Sequence, residues 1–370
     1  MNKHTAYALA FVLTVVSVIL FMLQPFLISE VVVKAYEGKS SSFITNLIDL
    51  IYPRFEYEKN RLGIDFFINK SSQILRRMSA LFLFISLITF SYYRFDVFRK
   101  FLRDHLYVEL VHKRVDVLRK ILYTFFLFVA SDLTHSLLMR THVSAFYQPV
   151  LLLRIMGIPF PSAGLIGLLS FTLFVSIICV LFNYRAVLFS AISIILFVIM
   201  EGLHTSFGKT DHGYTTFMYV LMMFPFLLNE SKTKKNDASA WPLLLMRVSI
   251  CLVYLMSGLE KLTNSGTYWL DHLNFKTLLL LHPTDVGLWI ADSVFLCSIL
   301  AIGGIAFQLC FWLILFVPLR LKYFFLITAV MFHYGNVILL DIGSFINAWV
   351  ISLSVFVDWE KLRFPVVKRY

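Results

Sequence analysis

The sequence has little charge for its length. Of its 370 residues, 15% are charged and 59% are apolar, whereas an ordinary soluble domain has roughly 25% charged residues. Such a chain would not stay dissolved in water, which excludes a soluble globular protein. Repeated apolar runs close to the roughly 20 residues needed to cross a hydrocarbon core predict an all-α, polytopic membrane bundle of about ten transmembrane helices.

Paired metal-binding or disulfide-forming residues are also lacking. The four cysteines lie in apolar runs with no CxxC spacing, so they indicate neither a disulfide framework nor a zinc site. A single Glu201-x-x-His204 has no second copy, and a di-iron bundle would need one. No metal site is therefore predicted. No inverted repeat is recognisable, which argues against a transporter.

The net charge of +11 is interpreted by location, because Lys and Arg collect in cytoplasmic loops and against anionic lipid. It is no sign of nucleic-acid binding. Ten spans with both termini in the cytoplasm place most basic segments inside, as in a bacterial cytoplasmic membrane protein. The loop Lys34–Arg77 is the exception. If the first apolar run does not cross the membrane, the predicted side of every later loop is reversed.

Several segments carry more specific expectations. Eight basic residues among apolar ones in Arg94–Lys120 predict a helix lying on an anionic membrane surface, with a solvated connector as the alternative. The apolar run Leu288–Val317 is too long for one upright crossing, and Gly303-Gly304 would bend it. The tenth span is expected at Phe345–Val357. The predicted regions are an N-terminal membrane region, 1–150, a transmembrane domain, 151–359, and a basic tail, 360–370.

The stretch from Val253 to Trp269 is the candidate site. An apolar helix ends there in Glu260 and Lys261, followed by Asn, Ser and Gly turn residues. Ionisable groups at membrane depth cost free energy unless they face a protein interior or a wet cavity, so Lys261 is a functional candidate. The alternative is that Lys261 extends to the lipid headgroups with Glu260 as its partner.

Three helix ends that carry His, Lys or Asp are predicted on one side of the membrane. They lie in the connections between spans five and six, seven and eight, and nine and ten, and every second connection is on the same side. They carry Lys209, Asp211 and His212, then Lys261, then His333. Polar groups that converge at the bilayer boundary predict a pocket there. As alternatives, His212 is an ordinary loop histidine and His333 a hydrogen-bonded core residue.

These residues also carry a resemblance to a known family. The motifs are Phe207-Gly208-Lys209-x-Asp211-His212, Tyr254-x-x-x-Gly258-Leu259-x-Lys261-Leu262, Asn264-Ser265-Gly266-x-x-Trp269 and His333-Tyr334-Gly335. In this order they resemble the horizontally transferred transmembrane domain, or HTTM domain, the integral membrane part of vitamin K-dependent γ-carboxylase. The resemblance covers roughly Leu151 to Trp359.

The resemblance implies a chemistry. Lys261 would be the base that deprotonates a vitamin K-type hydroquinone, a reduced quinone acting as cofactor, and His212 would support it. Oxygen then converts the quinol into a strong base, and a glutamate side chain of a peptide or protein is carboxylated with carbon dioxide. Supporting positions would be Lys209, Asp211, Glu260, His333, Tyr254 and Trp269. Partial desolvation makes a neutral lysine amine available as a base, whereas an adjacent Glu260 opposes this unless it points to another helix face.

The sequence also departs from the carboxylase. That enzyme carries a large domain after its last span, and this sequence ends soon after Trp359, so it is not expected to bind a protein substrate in the same way. Small bacterial relatives, such as the sporulation-delaying protein B group, resemble maturation factors for secreted peptide toxins. They imply a second class of function, a non-enzymatic accessory factor for the maturation or export of a secreted peptide.

Overall fold

The computed structural model describes residues 2–52, 54–106, 109–207, 213–232, 240–343 and 347–361, and over these residues the chain is helical without a β-strand. This confirms the all-α class. The α-helices are α1 Lys3–Leu27, α2 Lys34–Tyr36, α3 Ser42–Ile51, α4 Phe55–Lys59, α5 Ile64–Arg94, α6 Asp96–Leu106, α7 His112–Arg140, α8 Leu151–Ile155, α9 Ala163–Leu181, α10 Ala186–Thr205, α11 Thr215–Glu230, α12 Trp241–Ser265, α13 His272–Leu281, α14 Asp285–Ala291, α15 Val294–Cys310, α16 Leu319–Leu340 and α17 Ala348–Ser352.

Eight helices in the described part of the chain are long and apolar enough to cross a membrane, where the sequence predicted about ten spans. They are Lys3–Tyr36, Ile64–Arg94, His112–Phe146, Ala163–Leu181, Ala186–Thr205, Trp241–Thr263, Val294–Leu315 and Leu319–Leu340. The predicted sixth span corresponds to α11, whose 16 residues extend about 24 Å, less than the roughly 30 Å of a hydrocarbon core. Of the predicted tenth span, Phe345–Val357, the structure describes residues 347–357, which contain the five residues of α17 and a short 3₁₀-helix, Leu353–Phe356.

The chain divides into two compact units. The first consists of Met1–Asp104 and Gln148–Pro159, and the second of His105–Tyr147 and Phe160–Tyr370. The second unit contains every described residue of the candidate site. The domain boundaries drawn from the sequence stay predictions.

In the first unit, α1 and α5 pack as a pair joined by small polar side chains. The hydroxyls of Ser17 and Ser79 lie 3.0 Å apart, and those of Thr14 and Ser86 lie 2.7 Å apart. Because lipid offers no hydrogen-bond partner, hydroxyls between two spans stabilise their association, and their small size lets the backbones approach closely.

The basic segment predicted as one surface helix is divided between three elements. It comprises the end of α5, the whole of α6 and the beginning of α7. Two of its arginines belong to the packed interior of the second unit: Arg114 and Arg119 are each 6% exposed, and Arg119 donates a hydrogen bond of 2.7 Å to the carbonyl of Val180. A single helix on the membrane surface is therefore wrong for this part of the segment.

The beginning of α15 and the end of α16 are covered by α13 and α14. Leu279, Ile290, Cys297 and Leu340 form a buried apolar cluster there. The long apolar run that was expected to bend at its glycine pair is instead divided before α15. The Ser293 side chain caps α15 by accepting a hydrogen bond from a backbone N–H, as Ser commonly does at helix N-termini.

Candidate functional site

The candidate site is built on one face of α12. Tyr254, Ser257 and Lys261 follow one another at spacings of three and four residues, which places them on the same side of the helix. The helix ends at Gly266, whose φ of +59° favours glycine. The chain then turns into a short 3₁₀-helix, Gly266–Leu270, which contains Trp269. The turn predicted after Lys261 is thus present.

Lys261 is half-buried and points at two neutral oxygen atoms. Its Nζ donates hydrogen bonds to Gln308 Oε1 at 2.8 Å and to Ser257 Oγ at 3.2 Å. The same nitrogen lies 5.7 Å from the centroid of the Trp269 ring, within the range of a cation–π contact. The lysine is therefore directed into contacts between α12, α15 and the turn after α12.

Glu260, the neighbouring carboxylate, lies on a different part of the helix surface. Successive residues of an α-helix are turned by about 100°, and Glu260 is exposed whereas Lys261 is half-buried against Gln308. The direction of the Lys261 side chain is therefore set by its contacts with α15.

Gln308 was not predicted as a site residue. It is 5% exposed and belongs to α15. It is the only amide or charged side chain between Val294 and Val317, and an isolated amide in an apolar span needs a polar partner. That signal was present in the sequence, although the residue it pairs with could not be deduced.

Close packing between α12 and α15 holds Gln308 against Lys261. A Cβ atom added at Gly258 would lie 3.0 Å from Leu309 Cδ2 and 3.2 Å from Gln308 Cβ. Glycine at this position allows the two helices to approach at the level where the lysine and the amide meet. Gly258 is part of the motif that suggested the site, and this contact supplies a physical reason for it.

Lys261 contacts α15 near the end of that helix. Gln308 is fourteen residues after Val294, the first residue of α15, so about 21 Å of α15 precede the contact with Lys261. The 3₁₀-helix after α12 and then α13 pack against this part of α15. Lys261 is therefore flanked by protein on the side toward which α12 ends.

Tyr254 and His333 form a separate buried pair, about two turns of α12 away from Lys261. The Tyr254 hydroxyl and His333 Nε2 share a hydrogen bond of 2.6 Å, and the residues are 2% and 8% exposed. Phe311 lies 4.2 Å and Trp349 5.9 Å from the Tyr254 ring, centroid to centroid. Tyr254 is seven residues before Lys261, about 10 Å along the axis. This geometry is that of a hydrogen-bonded core group, the alternative given for His333.

Three predicted site residues, Lys209, Asp211 and His212, lie outside the described residues. Their flanks are part of the second unit. Before them, Phe207 packs edge-to-face against Phe160, with ring centroids 4.9 Å apart. After them, the Tyr214 hydroxyl donates a 2.6 Å hydrogen bond to Asp132 Oδ2. The shared pocket of Lys261 and His212 stays a prediction.

Comparison with known proteins supports the resemblance seen in the motifs. Residues 226–360 match the family model of the HTTM domain. No curated protein and no solved structure matches the chain. The matched segment contains Tyr254, Lys261 and His333, but it begins after the segment 207–212. The chain is therefore a multi-pass membrane protein whose residues 226–360 are similar to the HTTM domain.

Proposed function

We propose that this protein is a quinol-dependent enzyme that modifies a peptide or a small substrate, with Lys261 as its base. The observation that carries the proposal is the placement of Lys261. Within the HTTM segment, this half-buried amine is held by two neutral oxygen atoms and faces an aromatic ring. In the predicted ten-span topology with both termini in the cytoplasm, α12 runs toward the outer face of the membrane, and the 3₁₀-helix Gly266–Leu270 and α13 pack against α15 on that side of Lys261.

The residues around Lys261 fit a hydroquinone. Such a ligand is flat, aromatic and soluble in the membrane, and it has hydroxyl groups to donate. Trp269, partly exposed beside the amine, offers a flat apolar face of the kind on which aromatic rings pack. The nitrogen of Lys261 can accept a hydroxyl proton when the amine is neutral. These are the few convergent polar groups in an apolar setting that small-molecule sites usually have.

A bound hydroquinone supplies an acidic hydroxyl and, through oxygen, the strong base that the resemblance implies. Lys261 takes the hydroxyl proton at Nζ. Gln308 Oε1 and Ser257 Oγ accept hydrogen bonds from the amine before the transfer and from the ammonium after it, so neither group has to reorient. Hydrogen bonds to a charged donor are the stronger ones, and the two oxygens therefore stabilise the protonated lysine.

The test is quinol consumption by membranes that contain the protein. Chemically reduced naphthoquinone and oxygen are supplied, and loss of the quinol is followed optically. Lys261→Ala is expected to reduce the rate by about 10²- to 10⁴-fold, the usual contribution of a general base, and His212→Ala should also reduce it. Lys276→Ala, which removes a lysine of α13, is the matched control and should keep the wild-type rate.

The Gln308→Glu variant tests whether Lys261 acts as a base or has only a structural role, through the pH dependence of the rate. A carboxylate in contact with Lys261 favours the ammonium, so the rising limb of the pH–rate profile should move to higher pH. The enzyme proposal would be refuted by absence of quinol turnover above background, together with Lys261→Ala and His212→Ala variants that still restore whatever cell function is lost when the gene is deleted. The accessory factor for a secreted peptide would then be the remaining proposal.

A further inference from the structure

A second polar cluster lies at the other end of α12 from Lys261. It is formed by side chains from α7, α12, α16 and the segment after the last 3₁₀-helix, and is called here the basic cluster. Its members are Arg114, Arg247, Lys322, Asp358, Glu360 and Lys361. All belong to the second unit.

Asp358 is the centre of the basic cluster. Its Oδ1 lies 3.3 Å from an Nη atom of Arg114, 3.6 Å from Lys322 Nζ and 3.9 Å from Arg247 Nη2. Its Oδ2 lies 3.1 Å from Lys361 Nζ. Asp358 is only 7% exposed, so one buried carboxylate is shared by four cations.

The basic cluster is not electrically balanced. Glu360 pairs with Arg114 through Nε at 2.9 Å and through Nη2. The six side chains comprise four cations and two carboxylates, and Glu109 adds a third carboxylate that interacts with Arg114, so one positive charge is in excess among these described residues. Arg247 is 8% exposed and donates from Nε to the Val355 carbonyl at 2.8 Å, while its Nη2 is buried without a hydrogen-bond partner. A buried cation that lacks a full set of acceptors is costly, and an anion at the edge of the cluster would reduce that cost through its charge, without contact with Nη2.

The position of the basic cluster indicates which anion is available. Arg114, Arg247 and Lys322 all lie near the first residues of candidate membrane spans, those beginning at His112, Trp241 and Leu319. The ends of membrane spans lie at the level of the lipid headgroups. Basic pockets between spans at this level bind anionic headgroups.

We propose that the basic cluster binds the phosphate group of an anionic phospholipid. The phosphate lies at the rim, between Lys322 and Lys361, which flank the two oxygens of Asp358. The Lys361 side chain is 61% exposed and provides the accessible contact, while that of Lys322 is 13% exposed and connects the rim to the interior. Arg247 and Arg114 supply positive charge behind it. This site is separate from the proposed quinol chemistry and does not depend on it.

The test compares binding of phosphatidylglycerol and of phosphatidylcholine to the purified, delipidated full-length protein, by native mass spectrometry. The wild type is expected to retain phosphatidylglycerol preferentially. Lys322→Gln and Lys361→Gln should each lower the apparent affinity about fivefold, the contribution of one basic residue near an anionic surface. Arg320→Gln is the matched control, because Arg320 is exposed on the same end of α16 and belongs to no contact of the cluster. It should bind as the wild type does.

The unfolding temperature of each variant in phosphatidylcholine shows whether it is folded, and the exposed position of Lys361 makes that variant the safer of the two. Competition with inorganic phosphate distinguishes the source of the ligand. Weak competition supports a phospholipid, and full competition supports a small free phosphate at the same site. Equal retention of phosphatidylglycerol by the wild type and both lysine variants, or an equal loss in Arg320→Gln, would overturn the proposal.

Discussion

Gly258→Ala tests whether the contact between α12 and α15 is as close as the structure has it. The added Cβ would lie 3.0 Å from Leu309 Cδ2 and 3.2 Å from Gln308 Cβ, both closer than ordinary contact. The leucine side chain can move, but Gln308 Cβ is fixed to the α15 backbone. Overpacking of this kind costs about 1–3 kcal/mol, whereas replacing glycine by alanine inside a helix gains about 1 kcal/mol. We expect a net loss of up to about 2 kcal/mol.

Gly303→Ala is the matched control, since it lies on α15 and no atom comes within 4 Å of its added Cβ. It should gain the helix-propensity term, about 1 kcal/mol, without the clash. Unfolding temperatures in one detergent, followed by tryptophan fluorescence, give the order Gly303→Ala, then wild type, then Gly258→Ala. In the quinol assay Gly258→Ala should also be slower, because Gln308 is displaced from Lys261. If Gly258→Ala were as stable as Gly303→Ala, the close approach of the two helices would be refuted.

Three further predictions concern the buried polar groups. Asp358→Asn should lower the free energy of unfolding by about 3–5 kcal/mol because buried cations lose their counterion. Asp96→Asn, at a carboxylate whose side chain is 89% exposed, should change it by less than about 1 kcal/mol. Urea or thermal unfolding compares the two variants. Burial raises the pKa of Asp358, but its cationic neighbours outweigh burial and hold the pKa below the ordinary 3.8. The stabilisation by the ionised carboxylate is therefore complete above that value and is lost as the pH falls below it. Unfolding temperatures measured between about pH 3 and pH 7 should fall with acid more in the wild type than in Asp358→Asn. Tyr254→Phe leaves His333 Nε2 without its partner and should cost about 1–3 kcal/mol, while adding His333→Leu should restore part of that loss in a thermal-unfolding cycle; additive losses would contradict the pair.

Composition and apolar periodicity were sufficient for the fold class, because bilayer thickness imposes a length on every span. Two of the predicted spans correspond to helices shorter than a full upright crossing, α11 and the segment of α17 with its 3₁₀-helix. Phe345–Val357 is the clearest case: Val355 and Phe356 are almost completely buried, so their hydrophobicity reflects the interior of the bundle. In the run Leu288–Val317, the break at Ser293 depends on a helix cap, a local signal that an average over the run conceals.

The site was predictable only in part. Lys261 stands out because a charge at the end of an apolar span is costly, and the turn that follows it is visible as Gly266. Gln308 could be noticed as an isolated amide, but its pairing with Lys261 depends on how α12 and α15 pack. From the sequence, the lysines and arginines of the basic cluster indicated only which side of the membrane they lie on. Counting Lys and Arg does not reveal that Asp358 draws distant helices together.

The two polar contacts of α12 together restrict how this helix can move. Near its first turns, Arg247 donates to the carbonyl of Val355, and fourteen residues later Lys261 donates to Gln308. A piston-like shift by one turn, about 5.4 Å, would break both contacts at once and expose a cation at either end. If the proposed hydroquinone binds beside Lys261, its entry would therefore require displacement of the connection that carries Trp269, while α12 stays in place.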